Sequence, residues 1–344
     1  MRQSKALLYG TAALAAGLFA ANAKADPVSV DLFYTVFSGS PNVWEVTANL
    51  NGSSLTFSGD HSIASTAGAD GLLFLPDGNL AIAGQNANNP AQVHEITKLG
   101  APVTSAATTA SSNGSYHLAL NNAGTNLFSL CNTNCGSNFT QFTLAGGGLS
   151  GAGVDITVSG GPGSQQVTGL IFNPSNGKWY YGTAVDGSTS GDFGTVAFSG
   201  TTATLTRLLS GVPSHGLTFD PFTNDIIMSS GNLVEQFDPT VGANGAVVST
   251  FMGPGGDQYD QSAADGKGHL FVASNNGNLV GLDYDASALI NTGTHGESFL
   301  RSSLDDIAPL SGSGAPGVPE PASLALLATG LLGFGLLGRR RNRV

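Results

Sequence analysis

A hairpin-bearing unit recurs through this chain at a nearly constant interval, and that recurrence fixes the class of fold before any single residue is weighed. One copy reads Gly71-Leu72-Leu73-Phe74-Leu75-Pro76-Asp77-Gly78-Asn79-Leu80-Ala81-Ile82-Ala83: an apolar strand, a turn and a second strand. It returns as Gly169-Leu170-Ile171-Phe172-Asn173-Pro174 ahead of Lys178-Trp179-Tyr180-Tyr181, and as Gly216-Leu217-Thr218-Phe219-Asp220-Pro221 ahead of Asp225-Ile226-Ile227-Met228. More degenerate copies start at His117 and Ser262. Pro, Asp, Asn and Gly between the strands supply the backbone angles that a tight hairpin needs. The starts Gly71, His117, Gly169, Gly216 and Ser262 lie 46, 52, 47 and 46 residues apart, and Asp306 opens a sixth unit 44 residues later.

Each hairpin precedes a third strand candidate, at 92–97, 139–144, 194–198, 233–237 and 279–284, with fourth strands such as 204–209 and 246–251. Four short strands per unit is the pattern of a β-propeller blade, whereas a β-helix repeats on a much shorter period. The sixth unit stops after its first strand, while 31–37, 43–47 and 55–58 read as three strands that lack one. A C-terminal strand that completed the N-terminal blade would close the ring and remove exposed sheet edges. The expected fold is therefore all-β: a six-bladed β-propeller closed by N- and C-terminal strands, with an N-terminal signal helix and a C-terminal transmembrane helix outside it. The first-hairpin pattern is similar in its turn chemistry to NHL-repeat and gluconolactonase-type propellers; WD and kelch signatures are absent.

The two ends read as export and sorting signals. Arg2 and Lys5, an apolar run over 6–21 and Ala23-Lys24-Ala25 form a signal peptide with an A-x-A cleavage site at Ala23 and Ala25. Residues 1–25 are thus expected to engage the Sec translocon and signal peptidase. At the other end, Val318-Pro319-Glu320-Pro321 precede an apolar run over 322–338 and then Arg339-Arg340-Arg341-Asn342-Arg343. That run is at the short limit for a membrane span, and the arginines hold its end on the cytoplasmic side. The prolines stop helix from extending upstream. In the order of these elements, Pro319-Glu320-Pro321, the Leu/Gly-rich span and the terminal arginines, the tail resembles the PEP-CTERM sorting signal. The resemblance implies processing by an exosortase in a Gram-negative bacterium that makes extracellular polysaccharide. The expected layout is a signal peptide over 1–25, a repeat body over 26–311, a linker over 312–317 and a sorting tail over 318–344. Such a protein would be anchored in the inner membrane by its C-terminal helix before processing, and then reside on the cell surface or in the extracellular matrix.

Seven of the 12 basic residues lie in these two ends, so residues 26–338 hold 5 basic against 23 acidic residues, a formal charge of −18. Such a body repels nucleic acid and anionic surfaces, which excludes a nucleic-acid partner. The only cysteines, Cys131 and Cys135, are candidates for a local disulfide in an oxidising compartment.

Catalytic signatures are absent: no G-x-S-x-G elbow, no H-E-x-x-H, and glycine runs such as Gly146-Gly147-Gly148, which read as loop between blades, open no phosphate-binding helix. Trp44, Trp179, Tyr180 and Tyr181 could stack on sugars or pack between blades. At the starts of the first strands, Asp70, His117, Thr168, His215, Gln261 and Asp305 form a candidate polar ring around the channel. Such a ring either lines a water-filled channel or, through imidazole and carboxylate, holds a divalent metal. The leading expectation is a non-enzymatic binding module, without cofactor or metal, that contacts exopolysaccharide or another surface component. The alternative is a metal-dependent hydrolase or lyase of the gluconolactonase-like type that uses the channel.

Overall fold

The computed structural model describes residues 27–308 apart from 89, 110–113, 133–138 and 162–165. Among the described residues every regular element is a β-strand, so no helix there is long and apolar enough to cross a membrane. The signal peptide with Ala23 and Ala25, the linker and the sorting tail with Val318–Pro321 and Arg339–Arg343 lie outside the described residues.

The strands fall into meanders. β1 (Val28–Val36), β2 (Val43–Asn51) and β3 (Ser54–Ala64) come first, followed by β4 (Leu72–Phe74), β5 (Leu80–Ala83), β6 (Gln92–Ile96) and β7 (Pro102–Ala107). Next are β8 (Leu118–Leu120), β9 (Asn126–Ser129), β10 (Phe139–Ala145) and β11 (Gly148–Gly160), then β12 (Gly169–Asn173), β13 (Lys178–Gly182), β14 (Gly191–Ser199) and β15 (Thr202–Val212). The chain continues through β16 (Gly216–Asp220), β17 (Asp225–Ser230), β18 (Leu233–Asp238) and β19 (Ala246–Met252), then β20 (Tyr259–Ala264), β21 (His269–Ser274), β22 (Asn278–Asp283) and β23 (Thr294–Phe299). β24 (Leu304–Ile307) does not begin a new sheet; it pairs antiparallel with β1, so the first sheet has the order β24-β1-β2-β3. The closing strand starts at Leu304, two residues before the expected Asp306. β11 also pairs in parallel with β15, which fuses two meanders into one eight-stranded sheet.

The hairpin turns form as their residues dictate. In the first, Asp77 accepts a hydrogen bond from the amide of Asn79 at 2.9 Å, while Gly78 occupies φ 89°, open to a residue without Cβ. The same corner in β16–β17 is closed by Asn224, at φ 67°, whose amide donates to Asp220 O at 2.8 Å. Gly146 and Gly147 form the turn within the β10–β11 hairpin and Gly148 already belongs to β11, which corrects their reading as loop between units.

The hydrophobic core lies between sheets rather than within one. Leu73 and Val93 pack on Leu118, Leu127 and Phe142; Phe128 and Ile156 pack on Tyr181 and Leu205; Tyr180 and Phe193 pack on Phe219, Ile226 and Phe237. Ile227 and Val234 then meet Val272 and Val280, Phe271 and Leu279 meet Leu32, Leu50 and Leu304, and Phe33 and Val43 meet Leu72 and Ile82. The succession of neighbours thus returns to its start. Each large buried side chain contributes about 1.5–3 kcal/mol by leaving water, so these shared faces hold the sheets in register around one axis. Tyr180 and Tyr181 are buried in these layers, Trp179 packs at 5.2 Å from Phe128, and Trp44 stacks on Tyr34 beneath the Arg301 guanidinium. The candidate sugar-stacking aromatics therefore serve packing.

Candidate functional site

The inner strands converge at their N-terminal ends, and what lets them converge is the absence of side chains at the contact. A Cβ on Gly216 would stand 2.0 Å from Asp260 O, one on Gly169 2.6 Å from His215 O, and one on Gly71 2.4 Å from Tyr116 O. The Gly71 amide donates to Tyr116 O at 2.8 Å, and Ser229 Oγ donates to Asp260 O. Strands brought this close deliver the residues at their N-terminal ends to a common point.

Two of those strands carry β-bulges that determine which side chains arrive. In β20 the pairing register shifts between Tyr259 and Ser262, so Asp260 and Gln261 together face Ala273. In β24 it shifts so that Asp305 and Asp306 together face Thr35, whose Oγ1 receives the Asp306 amide at 3.2 Å. A bulge of this kind re-aims side chains out of the regular alternation. It explains why Asp260 and Asp306 enter the cluster although the sequence pointed to Gln261 and Asp305.

Asp70, His117, His215, Asp260 and Asp306 are all buried. His117 Nδ1 donates to Thr168 O at 2.7 Å and His215 Nδ1 donates to Ala184 O at 2.8 Å. These anchors leave the two Nε2 atoms facing inward, where both approach one oxygen: Asp260 Oδ1 is 3.0 Å from His117 Nε2 and 3.2 Å from His215 Nε2. The latter contact lacks hydrogen-bond alignment, so His215 Nε2 has no hydrogen-bond partner. Asp306 Oδ2 stands 3.6 Å from His117 Nε2, and both carboxylate oxygens of Asp306 are buried without a hydrogen bond. The ligand atoms of His117, His215 and Asp260 lie within 4.8 Å of one another, as do those of Asp70, His117 and Asp306.

Of the six ring candidates, Asp70, His117 and His215 supply atoms to these groups. Thr168 contributes a backbone carbonyl through its contact with His117, and its hydroxyl turns to Ala184 O at 2.9 Å. Asp305 lines the cavity above the cluster; Gln261 is buried with its Oε1 unpartnered. Cys131 is buried, and Cys135 lies outside the described residues.

Burial raises the Asp70 carboxyl to about 6, an effect that His117 opposes and Asp260 reinforces. Burial likewise drives Asp305 and Asp306 well above the usual carboxylate range, with their acidic neighbours acting in the same direction. For Asp260 burial acts upward too, but the charge of His215 and the hydrogen bond from His117 prevail and hold it well below that range. Burial pulls the His117 imidazole down, yet Asp306, Asp260 and Asp70 outweigh it and carry that group well above its ordinary value. Both imidazoles, anchored through Nδ1–H, would turn a bare Nε2 lone pair toward a carboxylate oxygen. A cation between them, a proton or a metal, relieves that repulsion.

Above the cluster opens a cavity of about 300 Å³, at the small end of the range for small-molecule sites. Carboxylates from Asp70, Asp186, Asp260 and Asp305, amides from Gln85, Asn132, Gln258 and Asn275, and the rings of Phe37 and Tyr116 line it.

Residues 317–341 match the family model described as the PEP-CTERM protein-sorting motif. No curated protein matches the chain. Among solved structures, the chain is similar to one in the nidogen/laminin complex, with 14% identity and TM-score 0.54 over 82% of this chain and 98% of that one. It is also similar to the periplasmic gluconolactonase of Pseudomonas aeruginosa, with 12% identity and TM-score 0.51 over 81% of this chain and 98% of that one. At such identity the likeness shows the fold alone, and that fold is propeller-like. The sorting motif marks the chain as the exported, membrane-anchored precursor of a protein handled by an exosortase.

Proposed function

We propose that the exported body is a six-bladed β-propeller whose axis holds a transition-metal ion, and that it acts as a metal-dependent hydrolase or lyase on a small polar ligand in the axial cavity. The observation that carries this reading is the convergence of two backbone-anchored histidines on one oxygen of Asp260, with their ligand atoms within 4.8 Å of one another. Two nitrogens and a carboxylate suit zinc and its neighbours better than calcium or magnesium, which prefer all-oxygen shells. Asp306, with two unpartnered oxygens beside His117, is placed to complete the set. A bound metal would supply Lewis acidity or an activated water at the cavity floor. The return of the last strand to the first sheet supports the count of blades, with β8–β11 and β12–β15 as two blades joined at their outer edges.

The expectation of a purely binding body rested on the sorting tail together with the absence of a catalytic motif. The buried cluster and the packing of Trp179, Tyr180 and Tyr181 weigh against it. Under this reading the signal peptide is removed after Ala25, the span over 322–338 holds the precursor in the inner membrane, and the product resides at the cell surface or in an exopolysaccharide matrix. The test is metal analysis of the purified protein. One equivalent of a transition metal is expected, lost in a His117→Ala/His215→Ala double variant; wild-type protein that retains none after incubation with zinc, manganese or iron would overturn the proposal.

A further inference from the structure

The axial cavity has a chemical bias that its metal-binding floor does not explain. Four carboxylates line it, and none of the five basic residues of the body, Lys98, Lys178, Arg207, Lys267 and Arg301, does so. Its buried unpartnered atoms include two amide acceptors, Asn132 Oδ1 and Asn275 Oδ1. The orientation of Asn275 is fixed by its neighbours, since Nδ2 donates to Asp186 Oδ1 at 3.2 Å and Asp260 Oδ2 at 3.4 Å. The Gln85 amide nitrogen is likewise engaged, 3.1 Å from Asp70 Oδ2. Orphaned buried acceptors are costly, and a ligand that donates to them is bound with corresponding gain.

A phosphate or carboxylate would meet like charge here with no lysine or arginine to receive it, the imidazoles below being already engaged by Asp260 and Asp306. A neutral hydroxyl donates once but brings lone pairs of its own, whereas an ammonium carries three donors and no acceptor. At the rim, the Phe37 ring is 44% exposed and offers an apolar face that can take a sugar ring or a cation. We infer that the cavity selects a hydroxylated amine, an amino sugar with a free ammonium group, over neutral, N-acylated and anionic sugars. The inference rests on the axial cavity being the working site, and it does not require the metal.

Calorimetric titration of the purified protein at pH 7 and low salt, with glucosamine, N-acetylglucosamine, glucose and glucuronate, before and after chelation, tests it. Glucosamine should bind at least about tenfold more tightly than the other three, a difference of about 1.4 kcal/mol. Asp186→Asn, an exposed position in a loop, should weaken glucosamine by about five- to tenfold while leaving the fold intact. Equal or tighter binding of glucose, N-acetylglucosamine or glucuronate would overturn the inference, as would an unchanged glucosamine affinity in Asp186→Asn or no binding of any of the four. Metal content of the same sample reports on the axial centre separately. Glucosamine preference in metal-free protein supports this inference without the metal, and bound metal without that preference overturns it while leaving the metal centre standing.

Discussion

The inner and outer strands of the same sheets follow different rules. The innermost strands β16, β20 and β24 are buried along their whole length, whereas the outer strands β3, β7, β11 and β15 are mostly exposed or half-buried. Outer strands run to 13 residues and tolerate polar sequence on open faces; inner strands have 3 to 6 residues and no polar position without consequence. Within one inner strand the demands even divide by residue. In β24, Leu304 and Ile307 enter the apolar layer between the first and last sheets, while Asp305 and Asp306, between them, turn to the axis. Packing and chemistry thus share four consecutive positions, and only the bulge keeps them apart.

Substitutions that separate the two roles test this contrast. The largest effect is expected from Phe271→Ala, which empties a fully buried position between two sheets and should destabilise by about 3–5 kcal/mol in chemical denaturation. Val154→Thr, half exposed on β11, should stay within about 0.5 kcal/mol by the same measurement. A comparable loss at both positions would erase the distinction. Asp306→Asn should act in the opposite direction: by removing a buried carboxyl that must take up a proton on folding, it should stabilise metal-free protein by about 1 kcal/mol, visible as a higher melting temperature, and should weaken metal retention. A destabilised Asp306→Asn would mean that the axis contributes to folding as the apolar layers do.

The smallest effect concerns pH. Burial raises Asp225, which belongs to neither the axial cluster nor the cavity lining, from 3.8 to about 6, with Gln236 opposing and Asp238 reinforcing the shift. Between those values the folded state holds a proton that the unfolded chain has lost, so stability should fall as pH rises from about 4 to about 6 and then level off with respect to this group. Asp70, also raised to about 6, acts in the same window. Thermal melts across that range should show a shallower slope in Asp225→Asn; an unaltered slope would remove Asp225 as a cause.

Much of the fold was legible because the first hairpin of each unit repeats both its apolar positions and its turn. The strands that escaped notice, β7, β11 and β23, have sequences such as Pro102-Val103-Thr104-Ser105-Ala106-Ala107 and Thr294-His295-Gly296-Glu297-Ser298-Phe299, whose outer faces meet water and need no apolar pattern. At the axis, His117 and His215 were readable from their place at the strand starts. Asp260 and Asp306 were not, since a bulge places two residues opposite one and displaces the count that alternation provides. A signal for Asp260 did exist: it precedes the turn glycine Gly268 by the same eight residues that separate Asp70 from Gly78. Counting from the turn, rather than from the first apolar residue, finds it.

The position of β24 also bears on how the protein is made. The strand that joins the two ends of the chain finishes at Ile307, ten residues before the sorting motif begins at 317. Synthesis runs from the N-terminus, so the first three strands precede their fourth partner and remain an open edge until nearly the whole chain has followed. A polypeptide cut short anywhere before Leu304 lacks both the closing strand and the address that would deliver it.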